Sequence, residues 1–304
     1  MKPLLLMSLL TILFQPLAAA VEYFTAKTPI GSVLRSAEWR RIPGELRELA
    51  QFSSAVQDVH VLQQIQDDLS AIITQERDAA GRQKMDRSRF IGGLQRVAKE
   101  RGLTPEDPAD RNTLKDITSR ARAELIYETQ TSQAYGYTNF RAQQDPELLA
   151  ETPCAELGES IAKEPRTNWP RRWTEAAKES GDDDALRVFQ ETGRMIARKD
   201  SPIWQALGDG AGGFRDTLGN PYPPFAFNST RLVDNVWRDE AEALGFIRPT
   251  ETVRPNEARL TDNLSASLAG VDEPTRAWLL REFGDQLEIT GDVAKWKPLP
   301  GGAA

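Results

Sequence analysis

Cysteine and histidine are almost missing from this sequence: 304 residues contain only Cys154 and His60. One cysteine cannot form an internal disulfide, so no covalent staple holds the chain and nothing points to an oxidising compartment. Thiolate and imidazole are the usual transition-metal ligands, so their scarcity removes most such sites and leaves only all-carboxylate Mg or Ca sites open. A Cys-His nucleophilic pair would have to join Cys154 to His60, which stand in separate segments; a serine nucleophile would need the same histidine. His60 lies beside Asp58, off the apolar stripe of its helix, and reads as a surface residue. No Gly-Lys-Ser/Thr occurs, which excludes a Walker-type phosphate loop. Positive charge is also short. Lys and Arg number 38 against 45 Asp and Glu, a formal net charge of -7. Such a chain has no overall attraction for phosphate backbones or anionic lipid. Long apolar runs are absent too: Leu4 to Leu17 is interrupted by Ser8, Thr11, Gln15 and Pro16, which argues against a membrane span.

What is present is an ordinary soluble composition, 39% hydrophobic and 27% charged, long enough for one large core or two smaller ones. Residues 1–24 form an apolar N-terminal segment with two readings. Lys2, the apolar run and Ala18-Ala19-Ala20 fit a secretory signal cleaved after residue 20. Continued apolar character through Val21, Tyr23 and Phe24 fits an uncleaved, buried helix.

Beyond it, Thr25 to Pro43 reads as a linker, punctuated by Pro29, Gly31 and Pro43. From Leu46 to Ile72 apolar residues recur at steps of three and four, which predicts one amphipathic helix. A second helix spans Phe90 to Ala98 and ends by Gly102. A third opens at Leu114 and Ile117 and runs to about Gln144, with Tyr127, Tyr135 and Tyr137 in its second half. Trp169, Arg171, Arg172 and Trp173 read as an aromatic anchor with guanidinium stacking. Asp182-Asp183-Asp184 reads as a helix N-terminus. Helices are also predicted over Arg238 to Phe246 and over Asp272 to Phe283, and a short strand over Gln286 to Ile289. The expected fold is mainly α, α+β overall: a helical domain over 25–150, a smaller mixed region over 151–290 and a plain tail over 291–304.

Asp200 to Ser229 stands apart. It is rich in Gly, Pro and aromatics and poor in helix formers, the composition of an ordered loop pinned by aromatic side chains. Gly208-Asp209-Gly210-Ala211-Gly212-Gly213 matches G-x-G-x-x-G, with Asp234 suitably placed beyond it. A dinucleotide loop needs those glycines after a buried strand and opening a helix. Here Trp204-Gln205-Ala206-Leu207 precedes them and a second loop follows, so no cofactor is assigned.

The segment from Ile196-Ala197-Arg198-Lys199-Asp200-Ser201-Pro202-Ile203-Trp204 to Asp216-Thr217-Leu218-Gly219-Asn220-Pro221-Tyr222-Pro223-Pro224-Phe225-Ala226-Phe227-Asn228-Ser229 resembles the phage Mu F-like minor head proteins, the phage head morphogenesis family. In that family an Arg/Asp-rich stretch leads to Pro-x-Trp and then to a Pro-Pro turn with aromatic neighbours. Many members end with a Trp-Gly-Cys-Arg-Cys-like element, where this chain has Phe227-Asn228-Ser229-Thr230, so no thiol or metal role carries over. The resemblance implies a non-enzymatic minor capsid component acting at the portal or inner head surface. Portal and other head proteins would be its partners, and virion or bacterial host cytoplasm its location. It favours an uncleaved N-terminal helix. The alternative is an exported helical binding protein. Arg198, Asp200, Pro202, Trp204, Asp216, Gly219, Asn220, Pro221, Tyr222, Pro223, Pro224, Phe225, Phe227 and Asn228 are the motif residues that would serve folding and docking.

Overall fold

The structure is a computed structural model that describes residues 18–158, 168–227, 229, 231–257, 260 and 265–297. The apolar run before residue 18, Asn228 and the tail from Pro298 lie outside the described residues. The protein is mainly α, α+β overall. About 48% is helical, and the strands make only small sheets. The chain divides into two compact units, Met1–Tyr135 with Arg259–Ala304, and Gly136–Ala258.

The first unit begins with helix α1 (residues 18–25), whose Tyr23 and Phe24 are fully buried. Strand β1 (Thr28–Pro29), helix α2 (Ser36–Trp39), helix α3 (Gly44–Glu48) and strand β2 (Ala50–Gln51) follow. β1 and β2 pair in parallel. Thr25 to Pro43 is therefore not a linker: Ile30, Leu34, Trp39 and Ile42 are core residues. Nor is Leu46 to Ile72 one helix. The chain turns at Ala55, which adopts a left-handed φ of 57°, and helix α4 (Val59–Ile73) starts afresh. Its cap is Asp58, which accepts from the backbone N–H of His60 and Val61 at 3.0 and 3.2 Å, satisfying two orphan donors. Helix α5 (Arg87–Glu100) packs on α4 through Phe90, Ile91, Leu94 and Ala98. Helix α6 (Arg120–Ala142) starts later than its apolar pattern suggests. Before it, Asp116 holds a turn by accepting from the N–H groups of Asn112 and Thr118, both at 2.8 Å.

The second unit takes the end of α6, then helix α7 (Pro146–Glu151), strand β3 (Cys154–Leu157), helix α8 (Trp169–Ser180), helix α9 (Asp183–Thr192), strand β4 (Ile196–Arg198), helix α10 (Ile203–Asp209), strand β5 (Val233–Val236) and helix α11 (Arg238–Ala243). β3 is the middle strand of an antiparallel sheet ordered β4-β3-β5. α8 is capped by Asn168 and closed by Gly181 in the left-handed region. α9 is capped by Asp182, which accepts from Ala185 N–H at 2.9 Å. Trp173, Ala176, Val188, Trp204 and Phe225 share one core with the sheet.

The chain then re-enters the first unit with strand β6 (Ala266–Ser267), helix α12 (Glu273–Phe283), strand β7 (Leu287–Thr290) and strand β8 (Val293–Trp296). The sequence pattern placed a plain tail from 291 and a division near 150; the chain instead carries β8 at the centre of the sheet β6-β8-β7 and divides after Tyr135. The reason is aromatic packing. Trp39 stacks on Phe52 at 3.8 Å and on Trp296 at 6.3 Å, and Trp296 Nε1 donates to the Leu46 carbonyl at 2.8 Å.

Candidate functional site

The Asp200 to Ser229 loop is organised around an arginine from another element. Arg172, on α8, is fully buried. It reaches that depth because α8 turns its Trp169, Arg172, Trp173 and Ala176 face inward. One guanidinium nitrogen donates to Asp216 at 2.8 Å. The other donates to the carbonyls of Leu207 and Phe225 at 2.9 and 3.2 Å. Its plane also lies over Trp169 and Phe214, each 5.2 Å from the ring centre. One side chain thus ties α8 to the end of α10 and to both arms of the loop. Burial pulls the Arg172 pKa down, and Asp216 opposes that shift.

Glycines make the loop tight. Gly210 terminates α10 with a φ of 83°, so the G-x-G-x-x-G stretch closes a helix instead of opening one. That is the wrong end for binding an anion, since the helix C-terminus carries partial negative charge. A methyl group at Gly208 would lie 2.0 Å from the Asn220 carbonyl oxygen, and one at Gly136 only 1.6 Å from that of Pro223. The loop backbone therefore lies directly against α10 and against the end of α6. Gly212 N–H donates to Glu179 at 2.7 Å.

The motif residues separate by what they touch. Trp204 is buried, stacks on Phe225 and meets Trp173 edge-on. Its Nε1 donates to the Arg198 carbonyl at 2.8 Å. Asn220 is 1% exposed, and its Nδ2 donates to the carbonyls of Tyr222 and Pro224. Tyr222 packs against Tyr137 and Phe140, both at 5.6 Å. Pro202 precedes α10 as its cap. Gly219 takes a φ of 89° and donates to the Gly208 carbonyl at 2.8 Å. Pro221 and Pro223 flank Tyr222 in the turn, and the Pro223-Pro224 bond is cis. Phe227 N–H donates to the Asp216 carbonyl at 2.8 Å. Arg198 and Asp200 stand apart from Arg172's network: they pair with each other in two hydrogen bonds of 2.9 Å, and Arg198 also bonds Glu251. The carboxylates hold the Arg198 pKa above its ordinary value.

The structure does not bring the candidate nucleophile into a reactive setting. Cys154 is buried in β3, and burial pushes its thiol up to about 12. A thiol that remains protonated at neutral pH is a poor nucleophile. His60 is exposed on α4. Lys199 is buried, its Nζ donates to Thr152 Oγ1 at 2.9 Å, and burial lowers its pKa to about 8. Among the described residues no group of three or more His, Cys, Asp or Glu is placed to hold a metal ion. Likewise, no described helix is long and apolar enough to cross a membrane. Gly136, Gly208 and Glu179 also shape the loop but lie outside the sequence motif. Their only local signal is glycine inside helical periodicity, whose cost implies a close contact.

Comparisons with known proteins returned no matching family model, no matching curated protein and no matching solved structure.

Proposed function

We propose that the protein is a structural minor head protein of a phage or prophage, without catalytic activity, acting in head assembly at the portal or inner head surface. The observation that carries this reading is how the motif loop uses its polar groups. Asp216, Asn220 and the Trp204 indole all serve the loop's own closure. A loop built that way presents a fixed shape to a partner rather than reactive groups to a substrate. The sequence resemblance supplies the partner class: portal and other head proteins. Net charge does not support a dedicated DNA contact. The place of action would be the virion and the bacterial host cytoplasm, with export as the competing reading.

Deletion of the coding region from an inducible prophage tests the function. The expected outcome is heads with reduced infectivity or altered DNA content; deletion heads normal in both would refute the reading. N-terminal sequencing of the protein from its native host tests the location, and a mature start near Val21 would favour export.

A further inference from the structure

Gly92 and Gly93 sit side by side within α5. Glycine inside a helix costs stability relative to alanine, so a pair of them calls for a steric reason. The protein's own packing gives none. A methyl group at Gly92 would meet nothing within 4 Å, and one at Gly93 would meet only Asp68 Oδ2, at an ordinary 3.9 Å. The two glycines instead line a groove of about 410 Å³, together with Gln64 and Asp68 of α4.

Asp68 is the unbalanced charge in that groove. It is 7% exposed, and its Oδ1 accepts from Gln64 Nε2 at 2.7 Å. Among the described residues no cation pairs with it. Burial holds its carboxyl above the usual carboxylate range, and Asp67 adds repulsion. The two arginines lining the groove are already engaged. Arg96 pairs with Glu100 at 3.4 Å. Arg89 faces Asp86 at 3.6 Å and donates to the carbonyls of Gln83 and Lys84. The groove therefore holds a buried carboxylate without a counter-ion, beside helix backbone stripped of side chains.

We propose that this groove receives a basic side chain, lysine or arginine, from a partner protein. The alkyl stem would cross Gly92 and Gly93, and the cationic head would reach Asp68 Oδ2. Charge complementarity selects this occupant. An anion would face Asp68 with like charge, and an apolar side chain would cover it while leaving it unpaired, which is costly. A cation on a methylene stem satisfies both the carboxylate and the apolar wall provided by Met85 and Val97. The site lies in the first unit and stands independently of the head-protein reading.

The test is a titration of the full-length protein with N-acetyl-lysine methylamide and N-acetyl-arginine methylamide, followed through the backbone amide signals of Gly92 and Gly93. N-acetyl-norleucine methylamide, of similar length but uncharged, is the control. The basic probes should shift both signals and norleucine should not. Asp68→Asn should weaken binding by about tenfold or more. Gly92→Leu should fill the groove and abolish binding with an unchanged circular dichroism spectrum, which keeps the test alive if Asp68→Asn fails to fold. Equal shifts with norleucine, undiminished affinity in Asp68→Asn, or no shift with either basic probe at millimolar concentration would overturn the proposal.

Discussion

Arg172 brings a full positive charge to a position with no solvent exposure, and the loop is built to receive it. Its acceptors come from α10, from Asp216 and from Phe225. Replacing it with methionine keeps the volume but strands a carboxylate and two carbonyls, a loss of about 3–5 kcal/mol by the usual cost of breaking a buried pair. Urea unfolding followed by tryptophan fluorescence should show it; a loss below about 1 kcal/mol would mean the loop closes without the arginine. Lys199 makes the opposite case. Burial lowers its pKa from 10.5 to about 8. Between those values the unfolded chain holds more protons, so this group makes the fold more stable as pH rises through that window. Below pH 8 both states are protonated and the folded state bears the full cost of the buried charge. Lys199→Met should therefore raise the urea midpoint at pH 7, by an amount that shrinks as pH climbs toward 10.5. A lower midpoint at pH 7 would show that the bond to Thr152 outweighs the charge.

At the scale of elements, glycine marks where backbone must lie against backbone. Gly136→Ala would set a methyl 1.6 Å from the Pro223 carbonyl oxygen. The loop would have to move, at about 1–3 kcal/mol or more, visible as a lower melting temperature and lost exchange protection around Tyr222. Gly92→Ala with Gly93→Ala meets no such clash and should raise stability by roughly 1–2 kcal/mol through helix propensity alone. A drop would reveal a contact within the chain that their surroundings do not show. These elements were unevenly legible in the sequence. α5, α9 and α12 could be read closely, because each carries its own cap: Asp86, Asp182 and Asp272 accept from the first turn. The break before α4 was hidden, because apolar steps of three and four run through Leu46, Leu49, Phe52 and Val56 whether or not the backbone is helical there. In the loop, the aromatic pinning was legible from composition. The Arg172 clip was not, because its charge is matched by Asp216, 44 residues away.

At the scale of the whole molecule, the first unit is closed by its last strand. Trp296 stacks on Trp39 and bonds Leu46, 250 residues earlier. No local pattern announces such a partner, and for that reason the segment after 291 read as a tail. Trp296→Ala should cost about 3–5 kcal/mol and remove exchange protection from the amides of β7 and β8; retained protection would show that the sheet stands without it. The functional account rests on an inward-facing polar inventory at the motif loop, a buried and protonated Cys154, and a motif that resembles head morphogenesis proteins. Its most direct test is the composition of particles. Virions purified from the producing strain should contain this chain at low copy, and particles from a strain lacking it should lose infectivity or packaged DNA. Fully infectious, normally filled particles without the chain would contradict the account.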